Sequence, residues 1–136
     1  MNRLHHYDGA LLGAAIERSR EHRGLDRAEL GRRAGLSRMV VSNLELGKTR
    51  AFMEQIAGLA GALGIAPALL VAAASHEDRR LTRGERCMVV LHPEHWPARY
   101  GEVIGHRSGE EFKYRVRLFG EKEMHLLSHV YIRRMP

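Results

Sequence analysis

Four side chains within six residues carry the most specific chemistry in this chain: Arg38, Met39, Val40 and Asn43. A guanidinium can donate a bidentate pair to guanine O6 and N7, a carboxamide can pair with adenine N6 and N7, and apolar groups meet the thymine methyl. Arg38, Asn43, and Met39 with Val40 supply one of each. On a helix, Arg38, Met39, Ser42 and Asn43 fall opposite Val41 and Leu44, so one side buries while the other presents mixed, long-reaching groups. The competing structural readings are an ordinary solvated helix face for Arg38 and Asn43, and a core filler for Met39.

The elements that position these groups follow from capping chemistry. Asp26 is a good N-cap, and Glu29 three residues on is placed to reach back to its amide, which starts a short helix that stops at Gly35. Ser37 caps a second helix ending at Gly47. A three-residue hinge, Gly35-Leu36-Ser37, forces a sharp crossing with Leu36 available to plug the corner, and the unit reads as a helix-turn-helix. From Asp8 to about Val71 apolar residues recur at three and four, as in Leu12, Ala15, Ile16 and Ile56, Leu59, Ala60, Leu63, so this half is all α. Breaks at Arg23-Gly24, Ala34-Gly35, Gly47-Lys48-Thr49 and Ile65-Ala66-Pro67 separate several short helices.

Over about residues 9–71 the chain resembles the Cro/C1, or Xre, family of helix-turn-helix DNA-binding domains of phage and bacterial repressors. The matching residues are Ile16 and Arg20, then Leu25-Asp26-Arg27-Ala28-Glu29-Leu30, the Ala34-Gly35-Leu36-Ser37 turn, Val41-Ser42, Leu44-Glu45, Gly47-Lys48, Ile56-Ala57 and Ala62-Leu63-Gly64. The resemblance implies five helices and base contacts from Arg38, Met39 and Asn43. It implies phosphate contacts from Arg27, Ser42, Lys48 and Arg50, which Ser37 at the helix start joins, and an internal brace between Arg20 and Glu45. Two departures stand out: Gly31 where the family commonly has Ala, and Arg27 where it commonly has Gln. Gly31 weakens its helix modestly, and Arg27 favours a phosphate clamp over a base contact. The alternative reading of Lys48 and Arg50 is as plain loop charges.

Beyond Arg83-Gly84 the period changes to two. Phe112, Tyr114, Val116 and Leu118 alternate with Lys113, Arg115, Arg117 and Phe119, as in a half-buried strand. Arg86–Leu91, Tyr100–Ile104 and Val130–Arg133 are further strand candidates. About five short strands in some fifty residues satisfy their edges by curling into a small barrel or a bent sheet. Residues 84–134 weakly resemble SH3-like barrels of the Tudor or KOW sort, through Gly84-Glu85-Arg86, Tyr100-Gly101-Glu102-Val103-Ile104-Gly105 and Tyr114-Arg115-Val116-Arg117-Leu118. The expected fold class is therefore α+β: a helix-turn-helix domain over 1–74, a linker over 75–83 and a small β domain over 84–136.

Charge is divided unevenly. The chain of 136 residues carries a formal +6, yet residues 1–78 hold ten Lys/Arg against nine Asp/Glu, whereas 79–136 hold twelve against seven. The surplus suits a polyanion, and Lys113, Arg115 and Arg117 form a candidate second nucleic-acid patch. A solvated surface diluted by Glu110, Glu111, Glu121 and Glu123 is the alternative. One cysteine, Cys87, rules out an intramolecular disulfide framework and any CxxC motif. His92 with His95, and His125 with His129, have ligand spacings but lack a Cys set, so no metal and no cofactor are expected. No phosphate loop, nucleophile elbow or HExxH motif is present, and no enzyme is expected.

The expected function is a sequence-specific double-stranded DNA-binding regulator, a homodimeric repressor on a palindromic operator, cytoplasmic and nucleoid-associated, without a membrane segment. Trp96, Phe119 and the stretch Ala66–Ala74 are candidate dimer anchors. Two rival readings are an antitoxin that represses its own synthesis through the same domain, and an RNA-binding or protein-interaction adaptor working through the β half.

Overall fold

The computed structural model describes residues 7–75 and 80–135, and its contacts divide the chain into two compact units, residues 1–76 and 77–136. The class is α+β, five helices followed by a five-stranded antiparallel sheet. Residues 76–79 of the expected linker lie outside the described residues.

In the first unit the helices are α1 Gly9–His22, α2 Arg27–Ala34, α3 Arg38–Glu45, α4 Met53–Leu63 and α5 Pro67–Ala73. Three of them begin at a side-chain cap. The Asp8 carboxylate accepts from the amides of Ala10 and Leu11, Asp26 from Glu29 at 2.8 Å, and Ser37 Oγ from Val40 at 3.1 Å. Pro67 opens α5, where a missing N–H costs nothing. Gly35 and Gly64, both in the left-handed region, end α2 and α4.

The expected reach of Glu29 back to Asp26 is not made. The Glu29 carboxylate instead takes Arg32 Nε at 3.0 Å and Arg33 Nε at 2.8 Å, because two guanidiniums one turn ahead outcompete a neutral amide.

Leu12, Ala15, Ile16, Leu30, Val41, Leu44, Ile56, Leu59 and Leu70 are buried together as the core of this unit. Each large side chain contributes roughly 1.5–3 kcal/mol of burial. Two glycines set how closely the helices approach. A Cβ on Gly13 would sit 2.3 Å from the Glu45 carbonyl oxygen, so α1 lies directly on the last turn of α3. A Cβ on Gly31 would sit 2.5 Å from the Leu36 oxygen, and the Leu36 amide closes onto the Gly31 carbonyl at 2.7 Å. The departure from Ala at this position thus has a local cause: this turn folds back against its own helix. No single helix among the described residues is long and apolar enough to cross a membrane.

The second unit is a sheet in the order β4-β3-β2-β1-β5, with β1 Arg86–Val90, β2 Ala98–Arg107, β3 Lys113–Leu118, β4 Met124–Ser128 and β5 Ile132–Arg134. Pairing shifts between Val103 and Gly105, an irregularity of the kind that bends a long strand. Cys87, Val89, Val103, Tyr114, Val116, Leu118, Leu127 and Ile132 line its core, with Leu81 held over them by its amide to the Tyr114 hydroxyl at 2.9 Å. Sequence alternation locates β1 to β3 but names no strand over Met124–Ser128, where Met124 and Leu126 put apolar groups on the outer face and break the pattern. The expected strand from Val130 begins only at Ile132, since His129–Tyr131 forms a 3-10 turn capped by Ser128. The Arg133 guanidinium, in a buried residue, donates to the carbonyls of Val130 and Ile132 and so ties that turn to β5.

Candidate nucleic-acid interface

The geometry of α3 is fixed from within by one carboxylate. The Glu45 side chain is 1% exposed and accepts from Arg20 Nε at 2.7 Å, Arg20 Nη2 at 3.0 Å and Arg27 Nε at 2.9 Å. The pairing holds the Arg20 guanidinium above its ordinary pKa, with the Glu45 hydrogen bond as the main cause. Arg20 also donates to the Leu25 carbonyl at 3.0 Å, and Arg27 to Ser42 Oγ at 3.3 Å. One buried anion thereby ties α1, the start of α2 and the end of α3 into a single corner. Removing a partner from such a cluster leaves buried charge without compensation and is strongly destabilising.

Arg27 is held by the same carboxylate. Expected at a phosphate, it is half-buried and spends its donors on Glu45 and Ser42, with Glu17 at 3.9 Å. Ser42, also expected at a phosphate, receives that donation. Ser37 Oγ is committed to the helix start. Nothing in the spacing of Arg27 from Arg20 or Glu45 signals the shared carboxylate; only the sharp α2–α3 crossing brings the second arginine to it.

With Val41, Leu44 and Glu45 turned inward, the opposite side of α3 is left to solvent. Arg38 is exposed, Met39 is 68% exposed, and Val40, Ser42 and Asn43 are half-buried. Met39 is therefore not a core filler. The open stripe continues to Leu46, 56% exposed, which the sequence reading did not single out. Lys48 and Arg50 are exposed on the loop that follows, with the Lys48 amide held by the Asn43 carbonyl at 2.9 Å. The Arg50 guanidinium stands over the Tyr7 ring, 4.4 Å from its centroid, while the Tyr7 hydroxyl accepts from the Ala51 amide. Tyr7 thus orders this loop, and no motif in the sequence indicated that role. Phe52 and Met53 are exposed beside it in sequence.

In the sheet unit, Lys113, Arg115 and Arg117 share the outer face of β3, as alternation requires. They differ in what they meet. Arg117 is paired with Glu102, its neighbour across the β2–β3 register, whereas Lys113 and Arg115 pair with no carboxylate among the described residues. Among those residues no group of three or more His, Cys, Asp or Glu is arranged to hold a metal. The Cys87 thiol is buried, and burial pushes its pKa up to about 11, the reverse of a nucleophile's environment.

A helix-turn-helix domain family model matches residues 11–73. Among solved structures, the restriction-modification controller protein C.AhdI from Aeromonas hydrophila is 32% identical over 46% of this chain and 96% of its own, with a TM-score of 0.46. The clp gene regulator ClgR from C. glutamicum is 30% identical over 48% of this chain and 86% of its own, with a TM-score of 0.46. The DNA-binding domain of the P22 C2 repressor is 28% identical over 47% of this chain and 84% of its own, with a TM-score of 0.44. No curated protein matches the chain. Each of these likenesses covers under half the chain, leaving more than half of it without a counterpart in them.

Proposed function

Residues 11–73 belong to the helix-turn-helix domain family, and from that premise we propose that the protein is a sequence-specific regulator of transcription that inserts α3 into the major groove of double-stranded DNA. The observation that carries the reading is the outward stripe of α3: a large apolar side chain, Met39, stands 68% exposed between a guanidinium and a carboxamide on a helix fixed by a buried ion pair. An ordinary solvated helix face gains nothing from an exposed thioether there, whereas a groove-reading face uses it against a thymine methyl. Arg38 reads guanine, Asn43 reads adenine, and Met39 with Val40 covers apolar edges. Lys48 and Arg50 hold phosphates, with the Ser37 and Ser42 region following the backbone. Arg27 acts one step back, by keeping Ser42 and Glu45 in place.

One short reading helix covers only a half-site. Two copies with helices about 34–36 Å apart would read a palindrome, and repression then follows from occupancy of a promoter. Selection of bound sites from a pool of random duplexes, with the mass of the protein and its complex measured by light scattering, tests both parts. A palindrome with one helical turn between half-sites and a mass of two chains per duplex is expected. Recovery of unselected sequence would overturn specific reading, and one chain on an asymmetric site would overturn the dimer.

A further inference from the structure

The outer face of the sheet has an order that strand register makes explicit. Residues paired across the ladder share a face, so Tyr100 stands beside Phe119, Glu102 beside Arg117 and Met124, Gly105 beside Arg115 and Leu126, and Arg107 beside Lys113. The face therefore runs from a row of two aromatic rings to a row of two cations, with apolar groups along one flank. Tyr100 is 45% exposed and Phe119 51%, and Met124 and Leu126 are open as well. Arg107, Lys113 and Arg115 pair with no carboxylate among the described residues, and a Cβ built on Gly105, beside Arg115, meets nothing within 4 Å. The free cations are thus one row further along than a simple count down β3 implies: Arg107 replaces Arg117, whose charge Glu102 takes up.

We propose that this face binds a single, unpaired nucleic-acid strand, with bases on Tyr100 and Phe119 and phosphates along Arg115, Lys113 and Arg107. Charge complementarity selects a polyanion: three cations that pair with no carboxylate among the described residues share this face, on a unit, residues 77–136, that holds twelve Lys/Arg against nine Asp/Glu. The rings decide which polyanion. A duplex keeps its bases stacked on one another and offers this face only phosphate, which would desolvate two exposed rings against charge and gain nothing from them. An unpaired strand lays bases on rings while its backbone tracks the cations, the combination that single-strand binders use. The scale is also right. At about 3.3 Å per residue, Phe119 and Lys113 are roughly 20 Å apart, enough for a few nucleotides, and alternate residues of β3 repeat at a distance close to that of successive phosphates. This site is separate from α3 and does not depend on the reading given for it.

The test uses the full chain and fluorescence anisotropy, with labelled oligouridylate and oligothymidylate of about twelve nucleotides as probes and a random hairpin duplex as competitor. Saturable binding of the single strands is expected. Replacing both rings, Tyr100→Leu with Phe119→Leu, keeps apolar area but removes stacking, and should weaken binding roughly tenfold at an unchanged salt slope. Replacing Arg107, Lys113 and Arg115 together by Gln should flatten the slope by about two units. Arg38→Ala with Asn43→Ala should leave single-strand binding as it is. An unchanged urea midpoint of Trp96 fluorescence shows that each sheet variant is folded. No saturation, undiminished affinity of the ring variant, a hairpin that displaces the strands at lower concentration than they bind, or loss of binding in the α3 variant would each overturn the proposal.

Discussion

Glu45 shows how much one side chain decides in the helical unit. Its carboxylate is the common acceptor for Arg20 and Arg27, and among the described residues it is the only anion those two guanidiniums share at hydrogen-bonding distance. Glu45→Gln keeps the shape but leaves Arg20 without its hydrogen-bonded counter-charge and Arg27 with only the more distant Glu17, and should lower stability by about 3 kcal/mol in urea unfolding followed by circular dichroism. Arg27→Gln removes one of two cations from one anion and should cost under half as much. If the two substitutions proved equal, the shared-acceptor account would fail. On the outward side the expectations separate by what each group reads. Arg38→Ala should lose roughly 1–3 kcal/mol on the selected site and relax choice at one base pair, whereas Lys48→Ala should weaken all duplexes alike and flatten the salt slope by about one unit. Equal losses for Arg38→Ala on selected and random DNA would remove it from the reading set.

At the scale of elements, close approach and not propensity decides what a glycine does. Inside an exposed helix, Gly→Ala gains roughly 0.5–1 kcal/mol because the unfolded chain has less freedom to lose. Gly61 in α4 is exposed with nothing near a built Cβ, so Gly61→Ala should raise the urea midpoint. Gly13 in α1 lies against the carbonyls of Leu44 and Glu45, so the same substitution should cost about 1–3 kcal/mol by forcing α1 off α3. Thermal melts of the two variants should move in opposite directions, and a common sign would disprove the packing argument.

This contrast also marks what the sequence could reveal. Caps, helix breaks and the α3 stripe are local, written within four or five residues, and Asp26, Ser37, Gly35 and Met39 were readable for that reason. Arg27 on Glu45, Tyr7 under Arg50, and Gly13 on Glu45 join residues 18 to 43 positions apart, and only the crossing of helices brings them together. β4 escaped because its outer face is apolar, which erases the alternation by which β3 announces itself. The Glu29 reach-back failed because a charged alternative lay within one turn.

Over the whole molecule, the two units should answer differently to acid, because a carboxyl is displaced from its ordinary pKa in one and an imidazole in the other. In the helical unit the hydrogen bonds from Arg32 and Arg33 hold the Glu29 carboxyl down to about 2. A carboxyl lowered from about 4.5 contributes stability that is present above that value and fades as pH falls toward 2; it leaves the range from 7 to 5 untouched. In the sheet unit His95 is packed between His92, at 5.0 Å between ring centroids, and His125, at 4.9 Å. Burial, then the charges of His125 and Arg99, hold its pKa below the ordinary 6.5, while Glu121 and Glu94 oppose them less strongly. A folded state that resists protonating an imidazole binds fewer protons than the unfolded chain, so its stability is full above about 6.5 and declines as pH falls through the lowered value. The sheet unit holds the chain's one tryptophan, Trp96, beside His95 in sequence, and the helical unit dominates the helical dichroism signal. Urea titrations at pH 7.5, 6 and 5 should therefore show the Trp96 midpoint falling with acidification while the dichroism midpoint holds until the pH drops below about 4.5. His95→Asn should flatten the Trp96 trend. A Trp96 midpoint that is level or rising toward pH 5 would mean that the three rings do not disfavour a proton in the folded sheet.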